Sequence, residues 1–591
     1  MQKGAVLAGR PFFVGATILR AVGWAVILQA FFRKGFTMRR SCLLLPALTL
    51  ALSACATTPQ RPDPATTAAP SIDTMKAVVQ EISADSYEGR APGSPGEDKT
   101  LAYLVQRFSA LGLQPGNQGS WFQDVPLVEI AAKNISPLTF TGGKAPLSAA
   151  YGPEMVIGTY RTTQPHIAIK DSPVVFVGYG INAPEKSWND YAGVDVKGKT
   201  VIILVNDPDY ESASLTGPFN GRAMTYYGRW TYKYEEAARQ GAAAAIIVHD
   251  SMPAAYGWNV VQSSWTGPQH VADSANGNAD KSAAIGWIQK DKAAALMASA
   301  GLNLDTLTAA AKKPGFRAVP LSGIKASVSF DNMIRKHSSK NVVALLPGKT
   351  RPDDYVLYSA HWDHLGHCEK AADGDDICNG AVDNATGVAA LVAIAEANVR
   401  AGPSERSQVF LAVTAEESGL LGSAYYGEHP VFPLNRTVGG VNIDAMQIWG
   451  PAHNVIVIGR GKSGLDAYLD RALATQGRVA SDEPTPEKGF YYRSDHFSFA
   501  KHGVPMLYFE TGQDLLTGGQ TAGTAAYREY EEHRYHGPKD EYDPRWDWSG
   551  VQADLTLYYD VGRALANTAD WPNWTPGDEF RAIRDKDRAG L

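Results

Sequence analysis

The chain has 591 residues, enough for two or three domains. Hydrophobic residues make up 44% and charged residues 20%, a composition that predicts a mostly globular protein. The formal net charge of −6 and the absence of any Lys/Arg run argue against a nucleic-acid partner.

The N-terminus reads as a leader. Pro11–Phe32 is apolar but broken by Arg20, a weak match to a membrane span. Met38 is a better start, because Met38-Arg39-Arg40 gives a positive n-region and Leu43–Leu52 a short apolar core. Leu52-Ser53-Ala54-Cys55 then resembles the lipobox of bacterial lipoproteins. Residues 1–55 are therefore expected to be a leader with a lipoprotein-type signal, with Cys55 lipidated and the chain exported to the bacterial cell envelope on a lipid anchor. A plain secretory signal is the alternative. Residues 56–71, rich in Thr, Pro and Ala, are expected to be a flexible tether.

Two amphipathic helices follow, one carrying Met75, Val78, Val79 and Ile82 and the other Leu101, Leu104, Val105, Phe108 and Leu111. The second opens on Ser94-Pro95-Gly96-Glu97, a capping-box pattern with Pro in the first turn. Between them Tyr87–Gly93 reads as a turn-rich loop. From Tyr151 to Ala326 the texture changes to short β-rich runs at Val174–Tyr179, Thr200–Val205 and Ala243–Val248, with a helix at Tyr234–Gln240. No acid/His cluster appears in this stretch. It reads as an inserted binding or lid domain whose aromatics (Tyr226, Tyr227, Trp230, Tyr232, Trp258, Trp265) are candidates for a substrate cleft.

From Asn341 strands and helices alternate, which predicts an α/β fold with a mixed, largely parallel sheet flanked by helices. The expected strands are Asn341–Leu346, Tyr355–Ser359, Gln408–Val413, Gly440–Ile443, Asn454–Ile458 and Pro505–Phe509. The expected helices are Ala385–Val399, Gly464–Gln476 and Val551–Thr568. Of the four Cys, Cys368 and Cys378 lie in a polar loop of this part and are expected to pair in an oxidising compartment. Two free thiols are the alternative.

Acidic and His residues fall just after these apolar strands, where α/β proteins build their sites. His361 in S-A-H-W-D-H-L-G is a candidate metal ligand, with the Asp363 carboxylate on its other ring nitrogen fixing the tautomer. Asp383 in V-D-N-A-T-G can cap a helix or bridge two metals, with Gly380 and Gly387 letting the backbone approach. In T-A-E-E-S-G, Glu417 can ligate a metal while Glu416 takes a proton from water. Asp444 offers a ligand to one metal, and His536 completes the other. Tyr535 is placed to donate its hydroxyl to a developing oxyanion. His533 and His496 compete for the His536 role, and Asp495 and His496 are placed near the site as supporting or substrate-binding residues. Two His and several carboxylates converging at strand ends point to two metal ions sharing a carboxylate.

The order H-x-D, D-N-x-x-G, E-E-S-G, I-D, S-D-H and Y-H-x-x-x-D resembles metallopeptidase family 28, which includes bacterial leucyl aminopeptidase, glutamate carboxypeptidase and the inactive transferrin receptor. The resemblance runs from about Ile72 to Trp571 and includes Asp85–Arg90 and Gly112–Pro115. Val177–Ile181 and Asp190–Lys199 resemble its protease-associated insertion. By that resemblance 72–150 is the N-terminal part of the peptidase domain, 151–326 the insertion, 327–571 the catalytic di-zinc domain and 572–591 a C-terminal tail. It implies one zinc on His361 and Asp444, a second on Glu417 and His536, Asp383 bridging, and Glu416 as base. It also implies a cis peptide after Asp383. The acidic insertion His367–Asn379 departs from the family pattern and is expected to shape the substrate pocket. The resulting expectation is an aminopeptidase acting on peptides with two Zn2+ per chain. A carboxypeptidase of the glutamate carboxypeptidase type, a glutaminyl cyclase and a non-catalytic receptor-like relative are the rivals.

Overall fold

The computed structural model describes residues 69–368 and 370–591. The expected leader, the lipidation site Cys55 and nearly all of the tether lie outside them. Among the described residues no helix is long and apolar enough to cross a membrane.

Four strands form the centre of the C-terminal sheet, in the spatial order Arg406–Val413, Arg351–His361, Thr437–Asn442, Met506–Thr511, all parallel. Every residue of Arg406–Val413 and of Thr437–Asn442 is buried. That suits the apolar run Val409–Val413, since a parallel sheet is covered on both faces. Antiparallel partners flank this centre. Val342–Leu346 pairs with Arg406–Val413 on one side, and Asn454–Val457 pairs with Met506–Thr511 on the other. The helix Thr386–Arg400 packs on the sheet and is buried nearly all round. Its alanine-rich sequence suits a helix closely approached on several sides. The predicted stripe Met75, Val78, Val79 and Ile82 covers it from the helix Ile72–Ile82.

The middle of the chain builds its own core. Its parallel strands are His166–Phe176, Thr200–Leu204, Ala244–His249 and Ala284–Gln289, with Trp230–Arg239 as the helix before Ala244. Two long strands join it to the C-terminal sheet. Phe122–Lys133 and Val319–Leu346 pair antiparallel from Lys133↔Asp331 to Phe122↔Val342. The second runs unbroken through position 326, and the middle core takes in Leu138 and Phe140 before 151 and Val328 and Phe330 after 326. The last residues also pack. Trp574 and Phe580 are buried, and Arg584 donates to the carbonyls of Leu434, Thr437 and Val438.

Candidate functional site

The central strands carry the site at their C-terminal ends. His361 closes Arg351–His361, Glu416 and Glu417 follow Arg406–Val413, and Asp444 follows Thr437–Asn442. The chain turns sharply at three points of the site. Ala415, Ala445 and His536 have φ of 52°, 53° and 57°, left-handed conformations that non-glycine residues adopt at a cost and that collect at functional sites. Asp383 sits just before the helix Thr386–Arg400, and the Asp383–Asn384 peptide is cis.

The two oxygens of Asp383 face different partners. His361 Nε2 lies 3.3 Å from Asp383 Oδ1 and 3.1 Å from Asp444 Oδ1. His536 Nε2 lies 3.4 Å from Asp383 Oδ2 and 3.1 Å from Glu417 Oε2. The five residues thus form two triads sharing one carboxylate. Such a crowd of buried acids needs cations. At His361 burial pushes the imidazole down, yet Asp444 and Glu416 outweigh it and hold the ring well above its ordinary value. At His536 the same contest, with Glu417 and Asp383 against burial, ends at about 10. Burial raises Glu417, but His536 and His364 pull it down to about 2. An N/O donor set at this spacing fits divalent zinc-like ions.

Supporting groups fix each donor. Ser494 Oγ donates to Asp444 Oδ2 at 2.6 Å, and Asn442 Nδ2 donates to Ser494 at 2.8 Å. Asn384 links the Asp383 turn to the Asp444 turn, accepting from Gly387 and Ala445 and donating to the Ile443 carbonyl. A Cβ on Gly387 would run into Asn384 and that carbonyl, so the close approach expected of this glycine is real. His361 Nδ1 faces the backbone carbonyl of Asp363 at 3.1 Å, while the Asp363 carboxylate stands 3.8 Å off and accepts from the Glu416 N–H. The tautomer contact is thus made by the Asp363 main chain, and its carboxylate instead holds the Glu416 turn.

Glu416 is half-buried at the cleft and makes no hydrogen bond through its carboxylate among the described residues. Burial, with Glu417 and Asp444 adding, holds its carboxyl well above the ordinary range. Tyr535 lines the cleft and stacks on His536, ring centroids 3.9 Å apart. Asp495 is fully buried within electrostatic reach of His361, Asp444 and Glu417, and burial lifts its carboxyl to about 7. His496 is packed against the rings of Tyr491 and Tyr508, away from the donors, and burial lowers it to about 3. His533 ends the helix Gly519–His533 and is exposed. Cys368 and Cys378 form a disulfide.

Three residues escaped the sequence reading. His364, in the quoted S-A-H-W-D-H-L-G, is buried with its Nδ1 2.6 Å from Glu417 Oε1, and it shares with Asp383 and Glu417 a set of possible ligand atoms within 4.8 Å. Asp540, the last residue of Y-H-x-x-x-D, accepts from the backbone N–H groups of Val382 and Asp383 at 2.9 and 3.0 Å. Arg90, in the loop Tyr87–Gly93, is completely buried and donates to the carbonyls of Ile82, Trp362, Asn379 and Gly380. A cation that ties down loops beside buried carboxylates leaves no signature except the residue itself.

The site opens into a cavity of about 390 Å³ between the two cores. Tyr226, Trp230 and Trp265 of the expected aromatic set line it, together with Arg229, Tyr256, Phe490, Arg493, Glu510 and Tyr527. Tyr227 and Tyr232 line a different cavity, beside Arg239, and Trp258 faces a third.

Residues 341–559 match the sequence model of Peptidase family M28. That stretch is similar to an M28 peptidase domain. Mouse aminopeptidase NAALADL1 is 33% identical over 129 residues, 21% of this chain and 16% of that protein. A glutamate carboxypeptidase 2 homolog from Caenorhabditis elegans is 30% identical over 140 residues, 23% of this chain and 16% of that protein. The matched stretch thus spans about a sixth of these curated relatives. Among solved structures, an aminopeptidase from Aneurinibacillus sp. strain AM-1 aligns over 85% of this chain and 95% of its own, with 21% identity and a TM-score of 0.48. BSAP, a zinc aminopeptidase from Bacillus subtilis, aligns over 86% and 98%, with 17% identity and a TM-score of 0.42. The M28 match includes His361, Asp383, Glu416, Glu417, Asp444 and His536, and so covers both triads.

Proposed function

We propose that this protein is a zinc-dependent exopeptidase of the M28 type, an aminopeptidase that releases the N-terminal residue of peptides in the bacterial cell envelope, where a lipid on Cys55 anchors it. The observation that carries the reading is the shared carboxylate. Asp383 Oδ1 faces His361 and Asp444 while Oδ2 faces His536 and Glu417. His361, Asp383 and Asp444 would hold one ion, and Asp383, Glu417 and His536 the other. Bound there, two zinc ions supply Lewis-acid polarisation of the scissile carbonyl and acidify water enough for a nearby base to deprotonate it. Glu416, its carboxylate unbonded at the cleft, accepts that proton and passes it to the leaving amine. Tyr535 stands at the cleft wall to donate to the oxyanion. His364 and Ser494 hold Glu417 and Asp444 in place.

A second reading, cleavage at the C-terminal end, is favoured by Arg229 and Arg493. Both line the cleft and neither forms an ion pair with a carboxylate of the described residues. Burial pushes Arg229 down to about 10, with Arg493 adding repulsion. Two unpaired guanidinium groups in one cleft suit a carboxylate ligand.

Release of terminal residues from a free-amine tetrapeptide and its N-acetylated twin separates the readings. Metal-loaded protein is expected to cleave only the free-amine peptide, from its N-terminus. Chelation is expected to abolish cleavage, and Glu416→Gln to lower kcat by about 10²–10⁴-fold with zinc content unchanged. Cleavage of both peptides from the C-terminus would establish the second reading, and a Glu416→Gln variant of normal kcat would remove Glu416 as base.

A further inference from the structure

Glu510 is a carboxylate that the hydrolytic chemistry leaves without a task. It lies on Met506–Thr511, which runs parallel to Thr437–Asn442 with Asn442 opposite Tyr508. Asp444 follows Asn442 by two residues, and Glu510 follows Tyr508 by two. Both line the cleft, and Asp444 is the charge that acts most strongly on Glu510. Two carboxylates lining one half-buried wall repel each other and lose hydration, which a proton on one of them or a cation beside them relieves.

No protein cation pairs with Glu510 directly among the described residues. Glu510 forms no ion pair with a Lys, Arg or His of the described residues, and its one hydrogen bond is a long one, 3.4 Å from the Tyr508 hydroxyl. Arg493 and Lys488 are the cations whose charge reaches it, and Lys488 is engaged with Glu531 at 2.8 Å. Ser494 holds Asp444 Oδ2 and His361 faces its Oδ1, so the ligand's own oxygens are occupied. The walls around Glu510 are aromatic, with Tyr508 and Tyr527 lining the same cleft. A carboxylate framed by aromatic rings at the edge of a reaction centre is suited to an ammonium group, which gains charge pairing and cation–π contact together.

We propose that Glu510 is the specificity-determining residue that binds the protonated α-amine of the peptide, next to Asp444. The inference rests on the exopeptidase reading and adds to it the group that selects peptides with a free N-terminus. It places the α-ammonium at the strand end of Met506–Thr511 and leaves Glu416 free for the water.

The test uses the full zinc-loaded protein and two probes that differ only at nitrogen, L-leucine and N-acetyl-L-leucine, with affinities measured by titration calorimetry near neutral pH. The wild type is expected to prefer L-leucine by at least about 10-fold. Glu510→Gln, which keeps the shape of the side chain, is expected to weaken L-leucine by about 10- to 100-fold and leave N-acetyl-L-leucine unchanged. Glu510→Asp, keeping the charge, is expected to recover part of the preference. Zinc per chain and melting temperature should match the wild type in both variants. Equal binding of the two probes by the wild type, a preference surviving in Glu510→Gln, or zinc lost from that variant would each overturn the proposal, the last by making Glu510 a metal ligand. Tetrapeptide hydrolysis run alongside keeps the two readings apart. An amine preference that depends on Glu510 in a protein that releases C-terminal residues would sink the aminopeptidase reading and leave the amine site standing.

Discussion

At the residue scale the site separates groups by what burial does to them. His496 shows the effect free of any metal. It is completely buried against Tyr491 and Tyr508, and burial lowers its imidazole to about 3. A free His has a pKa of about 6.5. Below that value the unfolded chain takes up a proton that the folded chain refuses, so stability falls as pH drops from about 6.5 towards 3. His496→Phe removes this contribution. Its melting temperature is expected to fall less steeply than that of the wild type between pH 6.5 and 4, in a thermal series followed by circular dichroism. An identical slope in both proteins would mean that His496 is protonated in the fold. The sequence placed His496 near the donors because S-D-H is a single motif. The structure divides that motif, with Ser494 on Asp444, Asp495 buried beneath the donors, and His496 turned into the core.

At the scale of elements, the loop from Arg534 to Asp540 does two things at once. His536 faces both Asp383 and Glu417, and four residues later Asp540 clamps the backbone under Asp383 through the N–H groups of Val382 and Asp383. One loop therefore supplies a donor and orients the shared carboxylate. Asp540→Asn keeps the shape but replaces one acceptor oxygen with a donor, which opposes an amide N–H. Zinc affinity, measured by competition with a chelator, is expected to fall about 10- to 100-fold, and an unchanged affinity would detach the clamp from the metal centre. The central strands were legible through short apolar runs such as Val409–Val413, which parallel strands buried on both faces favour, and the donors follow them directly. The long pair Phe122–Lys133 and Val319–Leu346 was not, because an alternating burial pattern does not say where a strand leaves one sheet for another. The helix Gly519–His533 was missed too. Only Gly523 and Tyr530 are buried along it, so it has no apolar stripe to find.

At the scale of the whole molecule, the cleft belongs to both cores. The catalytic sheet supplies the donors, Glu416 and Glu510, while the middle of the chain supplies Tyr226, Arg229, Trp230 and Tyr256. Tyr226 packs against Phe497 and Tyr492, with ring centroids 5.2 and 6.1 Å apart, which fixes the middle core against the catalytic one at the mouth of the site. The sequence announced the aromatic stretch but not the arginine within it, because a lone Arg before a helix has no pattern. Arg229 and Arg493 form the positive wall of the cleft and Glu510 a negative point beside the donors. A short peptide held in this cavity of about 390 Å³ then meets anion-binding groups as well as a cation-binding one. Peptide length and C-terminal charge are expected to matter together. With a di- or tripeptide, blocking the C-terminal carboxylate as an amide should lower kcat/KM about 10-fold or more, in line with one lost charge-assisted contact. Arg229→Met should lower kcat/KM for the free acid to the level of the amide and leave the amide unchanged. With peptides of eight or more residues, whose C-terminus extends beyond the cleft, amidation should have no effect. If Arg229→Met lowers kcat/KM for acid and amide equally, the arginine holds the two cores together and does not read the substrate's charge.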